Sequence, residues 1–118
     1  MRPLGEVGVK NVQSIFLACV LGLGIPNAYA EIPIFEIEIK QHLFFPSEII
    51  IPSGVKVKLL VYNRDRAPEE FESYELNREK IIMGDSKATI FIGPLPSGEY
   101  PFFGEFHPKT ALGKIIAQ

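Results

Sequence analysis

Apolar and charged residues alternate strictly near residue 35, with Phe35, Ile37 and Ile39 in one phase and Glu36, Glu38 and Lys40 in the other. A period of two is that of a strand with one buried face. Leu43-Phe44-Phe45 is stopped by Pro46, and the β-branched run from Glu48 to Ile51 ends at Pro52-Ser53-Gly54, a turn with proline placed to open it and glycine to close it. Val55 to Tyr62 alternates and then becomes apolar throughout, as a strand does on entering a core, and Asn63 ends it. Residues 64–80 (RDRAPEEFESYELNREK) are the most charged and least regular stretch and read as a long loop. Beyond it, Ile81 to Met83, Lys87 to Ile92, the aromatic-rich Glu99 to Phe106 and Lys114 to Ala117 predict further strands, separated by Gly84-Asp85, Gly93-Pro94 and Pro96-Ser97-Gly98 and by a loop opened at His107-Pro108. The sum is an all-β chain of about seven strands with turn signals at sandwich spacing. It contains neither an internal repeat nor a low-complexity tract.

The first thirty residues follow other rules. Arg2 and Lys10 face the single acid Glu6, the apolar run Ile15 to Ile25 is too short to span a bilayer, and Ala28-Tyr29-Ala30 is the small-x-small pattern of a signal-peptide cleavage site. Residues 1–30 therefore read as a signal peptide cleaved after Ala30, with an uncleaved N-terminal anchor as the alternative. Residues 31–118 form one domain, and export makes the expected location periplasmic. The single cysteine, Cys19, falls within the signal, so the mature domain has neither disulfide nor thiolate. Of the 12 basic and 14 acidic residues of the chain, ten and thirteen lie beyond residue 30. This mildly acidic balance argues against nucleic acid and leaves cations open. Nothing in charge or apolar content demands an obligate dimer, and the oligomeric state is not legible.

Candidate chemistry gathers in two segments. One is Glu69-Glu70-Phe71-Glu72-Ser73-Tyr74-Glu75; the other is Glu105-Phe106-His107. Carboxylates and imidazole are donors for iron, copper or zinc, whereas acids crowded without a cation repel one another. The competing interpretation is a solvated acidic loop balanced by Arg64, Arg66, Arg78 and Lys80. His107 suits a ligand or a hydrogen-bonding role equally, His42 beside Leu43-Phe44-Phe45 reads as a packing or surface residue ahead of a metal ligand, and Met83 as a gap filler ahead of one. Ser73 and Ser97 have no adjacent base, and no nucleophile elbow, phosphate loop or His-x-x-x-His pair occurs, so hydrolytic catalysis is not indicated.

The succession FFPSEIIIPSGVKVKLLVYN, acidic segment, GPLPSGEYPFFGEFHPKTALGKI resembles the cupredoxin-like family over nearly the whole mature domain. The resemblance implies a Greek-key β-sandwich. Pro96-x-Gly98-x-Tyr100 followed by His107 is similar to the approach to a type 1 copper site, but Gly104 stands where that site has cysteine, and Ala111 and Leu112 where it has methionine. Acids and Phe71 occupy the region of the first histidine ligand. A blue copper centre is thereby excluded, since its copper–thiolate bond cannot form. EFESYELNREK at residues 70–80 and FFGEF at residues 102–106 look like the EfeO-type cupredoxin domains and the FtrB-like periplasmic partners of bacterial iron permeases. That similarity implies an accessory protein of iron uptake that binds an iron or copper ion, assisting ferrous oxidation or delivery to a membrane permease or another periplasmic subunit. The ligands it implies are Glu72, Glu105 and His107, then Glu75 and Glu79. The alternative is a metal-free docking module whose acidic segment meets a basic patch on a membrane partner.

Overall fold

The computed structural model describes residues 31–118; the signal segment expected at residues 1–30 lies outside them. Nine strands form among the described residues, and no helix: β1 (Ile34–Lys40), β2 (Leu43–Phe45), β3 (Glu48–Ile51), β4 (Val57–Asn63), β5 (Glu69–Ser73), β6 (Arg78–Ile82), β7 (Ser86–Ile92), β8 (Gly98–Gly104) and β9 (Leu112–Ala117). One sheet has the order β2-β1-β4-β7 and the other β3-β9-β8-β5-β6. Within them β1 runs parallel to β4 and β3 parallel to β9, and the remaining pairings are antiparallel. At Pro46-Ser47 the chain crosses from the first sheet to the second, where a proline without an N–H ends the β2 ladder.

The alternation read in the sequence sets the register. Ile37 and Ile39 of β1 and Val57, Leu59 and Val61 of β4 are buried, and Ile90 and Ile92 of β7 join them from the other side of β4. From the second sheet Ile49, Ile51, Phe71, Phe102 and Ile115 close the core. Three aromatic rings knit it together. Phe71 and Phe102 stack with centroids 4.8 Å apart, and Phe44 meets Phe102 edge-on at 5.0 Å. Gly113 on β9 is bare for this reason, because a Cβ there would run into the Phe102 ring.

Residues 64–80 differ from the loop expected of them. They contain a hairpin, β5 and β6, joined by a tight turn in which Ser73 Oγ donates to the Pro101 carbonyl at 2.7 Å and accepts from Leu76 N at 3.1 Å. The inward residues of β5 are Glu69, Phe71 and Ser73, so two of the three buried positions are polar and the hydrophobic period is hidden. The strand expected at Ile81–Met83 begins earlier, at Arg78, and with β5 and a separate β2 at Leu43–Phe45 there are nine strands where about seven were expected.

Candidate metal centre

The carboxyl ends of β1, β4 and β8 and the amino end of β5 carry the loops that assemble the site. Asn63 closes β4 and fixes the connection to β5: its buried amide donates to the carbonyls of Ala67 at 2.9 Å and Ile82 at 3.1 Å, while its Oδ1 accepts from Asp65 N at 3.0 Å. Asp65 in turn accepts from the backbone N–H groups of Gln41 at 2.8 Å and His42 at 2.9 Å. Those two residues form the β1–β2 turn with φ of 54° and 63°, left-handed conformations that cost roughly 1 kcal/mol or more each outside glycine. The Asp65 carboxylate offsets that cost. Burial raises its pKa, but the His42 and Gln41 N–H groups, and after them the neighbouring imidazoles of His42 and His107, outweigh this and hold it below the ordinary carboxylate value.

Glu69 is the centre of the other half. It is 1% exposed, which for a carboxylate requires partners, and it has three. Oε1 accepts from Glu70 N and Phe106 N, each at 2.9 Å, and Oε2 lies 2.9 Å from His107 Nδ1. The β8–β9 connection holds His107 from its own backbone: His107 N donates to the Gly104 carbonyl at 3.0 Å, Ala111 N to the His107 carbonyl at 2.9 Å, and Gly104 N to the Ala111 carbonyl at 2.8 Å. A carboxylate only accepts, so the contact with Glu69 places the proton on Nδ1 of His107 and leaves the lone pair on Nε2.

The halves meet through the imidazoles. The rings of His42 and His107 stack with centroids 3.7 Å apart and planes 20° from parallel. His107 Nδ1 is hydrogen-bonded to Glu69 at 2.9 Å, whereas His42 Nδ1 lies 3.6 Å from Asp65, near the carboxylate but beyond hydrogen-bond distance. The side chains are 44% and 34% exposed, open enough to admit an ion. Carboxylate-backed histidines are the usual form of imidazole ligands, because the second shell fixes tautomer and orientation and raises basicity.

The residues implied by the sequence resemblance divide between two surfaces. His107 belongs to this centre. Glu72 lies on the outward phase of β5, opposite to Glu69, and faces Glu79 directly across the β5–β6 ladder. Carboxylate oxygens of Glu70, Glu72 and Glu79 come within 4.8 Å of one another. Glu105 is exposed beside them, and Glu75 is exposed in the β5–β6 turn. His107 and Glu72 are thus kept apart by the two phases of one strand. His42, expected to pack or to lie at the surface, does both: its ring is part-exposed and stacks on His107, with Glu69 and Asp65 beside the pair.

On the outer surface desolvation, followed by the neighbouring Glu79, raises the pKa of both Glu70 and Glu72. A carboxyl whose pKa is raised on folding favours the folded state when protonated, and this contribution is lost as pH rises through the folded value. Glu79→Gln removes part of the repulsion and is expected to raise Tm at pH 7 and low salt by about 2 °C. The gain should shrink toward zero below the ordinary value of 4.5. Thermal melts from pH 3.5 to 8 check this, and a gain independent of pH would refute it.

A sulfur-ligated copper does not fit here. Gly104 and Ala111 offer no donor, and the Glu69 carboxylate fills the interior beside them. The donors facing the opening are instead the two imidazoles, with the Glu69 and Asp65 carboxylates beside them.

Comparison with known proteins bears on the fold. An uncharacterized protein of Rickettsia prowazekii (strain Madrid E) is 38% identical over 117 residues, spanning 91% of this chain and 94% of the relative. Among solved structures, auracyanin A, a "blue" copper protein from Chloroflexus aurantiacus, superposes with a TM-score of 0.65 at 11% identity, covering 75% of this chain and all of that one. The metal binding domain of the Cu(I)-exporting P-type ATPase CopA of Streptococcus pneumoniae D39, solved with Cu(I), gives 0.62 at 16% identity over 72% and 84%. The family model described as a cupredoxin-like domain matches residues 13–117, and with the sandwich seen here the chain belongs to the cupredoxin-like family.

Proposed function

We propose that this protein is an exported metal carrier of iron uptake, which holds an iron or copper ion at the His42–His107 end and delivers it to a membrane permease or another periplasmic subunit. The observation that carries the proposal is the stacked imidazole pair, 3.7 Å between centroids, with a carboxylate beside each ring. Two histidines brought together from distant parts of the chain, one with its ring hydrogen-bonded to Glu69 and the other with its backbone held by Asp65, are more than packing requires. Copper is supported by the metal named in the related structures, and iron by the EFESYELNREK and FFGEF segments at residues 70–80 and 102–106. The Ala28-Tyr29-Ala30 pattern supports export. In this reading His42 and His107 bind through nitrogen, and Glu69 and Asp65 orient them. Partial exposure suits a carrier, since cargo must leave as well as enter.

The test is metal stoichiometry and metal-induced Tm shift with Fe(II), Fe(III) and Cu(II), for the wild type beside His42→Ala, His107→Ala and Glu72→Ala. One equivalent is expected in the wild type, with a stabilisation of about 2.7 kcal/mol at a hundredfold excess over Kd, on the order of 10 °C for a domain of this size. Both histidine variants should lose it and Glu72→Ala should keep it. Loss in Glu72→Ala alone would move the site to the outer carboxylates. Absence of binding in every variant would leave the docking reading, in which the acidic face around Glu70, Glu72 and Glu79 meets a basic partner.

A further inference from the structure

Gly104 is a glycine for reasons of space. It lies at the end of β8, buried, and its backbone does not adopt the left-handed conformation that favours glycine. A Cβ built there stands 2.7 Å from both the Cδ and Oε2 atoms of Glu69 and 2.8 Å from the Cβ of Ala111. Real Cβ atoms do not come so close, and the Glu69 carboxylate cannot yield easily, since both its oxygens are engaged with Glu70 N, Phe106 N and His107 Nδ1. The side chain of residue 104 and the carboxylate of residue 69 compete for one space.

We infer that Gly104 is the specificity-determining residue of the metal centre. By having no side chain it gives the interior to the Glu69 carboxylate, so the centre presents His107 backed by an oxygen acid and offers no sulfur. This rests on the metal reading above and adds to it the choice of ion. Imidazole and carboxylate suit Cu(II) and iron, whereas thiolate selects Cu(I). A side chain at position 104 expels the carboxylate, releases His107 from its orienting partner and, if it carries sulfur, reverses the preference.

The first test is a double-mutant cycle read by Tm without metal, which separates this inference from the metal reading. Gly104→Ala is expected to cost at least twice as many degrees in the wild type as in the Glu69→Ala background. Folding of the double variant where Gly104→Ala alone does not fold is the same result in stronger form. Equal costs, or failure of both to fold, would assign the space to Ala111 and overturn the inference. The second test is the ratio of Cu(I) to Cu(II) affinity, by competition with chelators of each ion. Gly104→Cys/Glu69→Ala should shift the ratio toward Cu(I) at least tenfold, with a thiolate-to-copper charge-transfer band in the Cu(II) form. An unchanged ratio would show that residue 104 does not set the choice. A wild type that binds no metal, beside a double variant that binds copper, would sink the carrier reading while upholding the role of Gly104.

Discussion

Phe102→Ala is expected to cost about 3–5 kcal/mol, the range for truncating a buried phenylalanine, and to lower Tm by roughly 15–30 °C in a domain of this size. Phe102 is 1% exposed and packs against both Phe71 and Phe44, so its removal takes one neighbour from each and leaves only their edge contact at 6.2 Å. The resulting cavity cannot collapse readily. Strand β8 is pinned by ladders to β5 and β9, and bare Gly113 opposite the ring has no side chain with which to fill the gap. Phe91→Ala is the control. That ring is 43% exposed on β7 under the ammonium groups of Lys56 and Lys58, at 5.0 and 5.7 Å, and its loss should cost about 1 kcal/mol or less. Urea and thermal unfolding followed by circular dichroism measure both. Comparable losses for the two variants would mean that the aromatic core is not what holds the sheets together.

The same difference between buried and exposed positions governs what could be read from the chain. Strands β1, β4 and β7 were legible because their inward positions are aliphatic and their outward ones mostly charged or aromatic, so the period survives in the letters. The β5–β6 hairpin was not, because Glu69 and Ser73 point inward and the outward Glu70 and Glu72 are of the same chemical kind. One signal was present: Glu69, Phe71 and Ser73 share a phase, and Phe71, flanked by acids on the other phase, takes its i±2 neighbours inward with it when it is buried. Followed through, that phase separates Glu69 from Glu72 and directs the first toward His107. The role of His107 as a candidate was visible from the strand end and Pro108. That of His42 was not, since the contact spans 65 positions and depends on a left-handed turn held by Asp65. The family was legible from the succession of motifs, while the absent cysteine and methionine said only what the centre is not.

Glu69 offers the other large effect, and its two substitutions should separate structure from function. Glu69→Ala removes the acceptor of the part-buried Glu70 and Phe106 N–H groups, each bond worth about 1.5 kcal/mol or more to a charged acceptor, and adds a cavity beside Gly104. A Tm loss of roughly 15 °C or more follows, together with loss of metal binding. Glu69→Gln keeps the shape. Its carbonyl oxygen can still accept from both backbone groups, leaving the amide nitrogen, a donor, facing His107 Nδ1. Two donors cannot share that contact, so His107 must place its proton on Nε2 and offer Nδ1 as acceptor. The fold then loses only about 1 kcal/mol, whereas the nitrogen that would bind metal no longer has its lone pair free. The expected result is a Tm within a few degrees of the unliganded wild type, an imidazole nitrogen spectrum in which the protonated nitrogen of His107 has changed from Nδ1 to Nε2, and metal affinity reduced at least tenfold. If Glu69→Gln shows the changed tautomer and still binds metal as tightly as the wild type, His107 does not bind through Nε2 and the ion is held elsewhere. If the tautomer is unchanged and affinity falls, the carboxylate itself is a ligand, and Glu69 acts on the metal directly rather than through the histidine it orients.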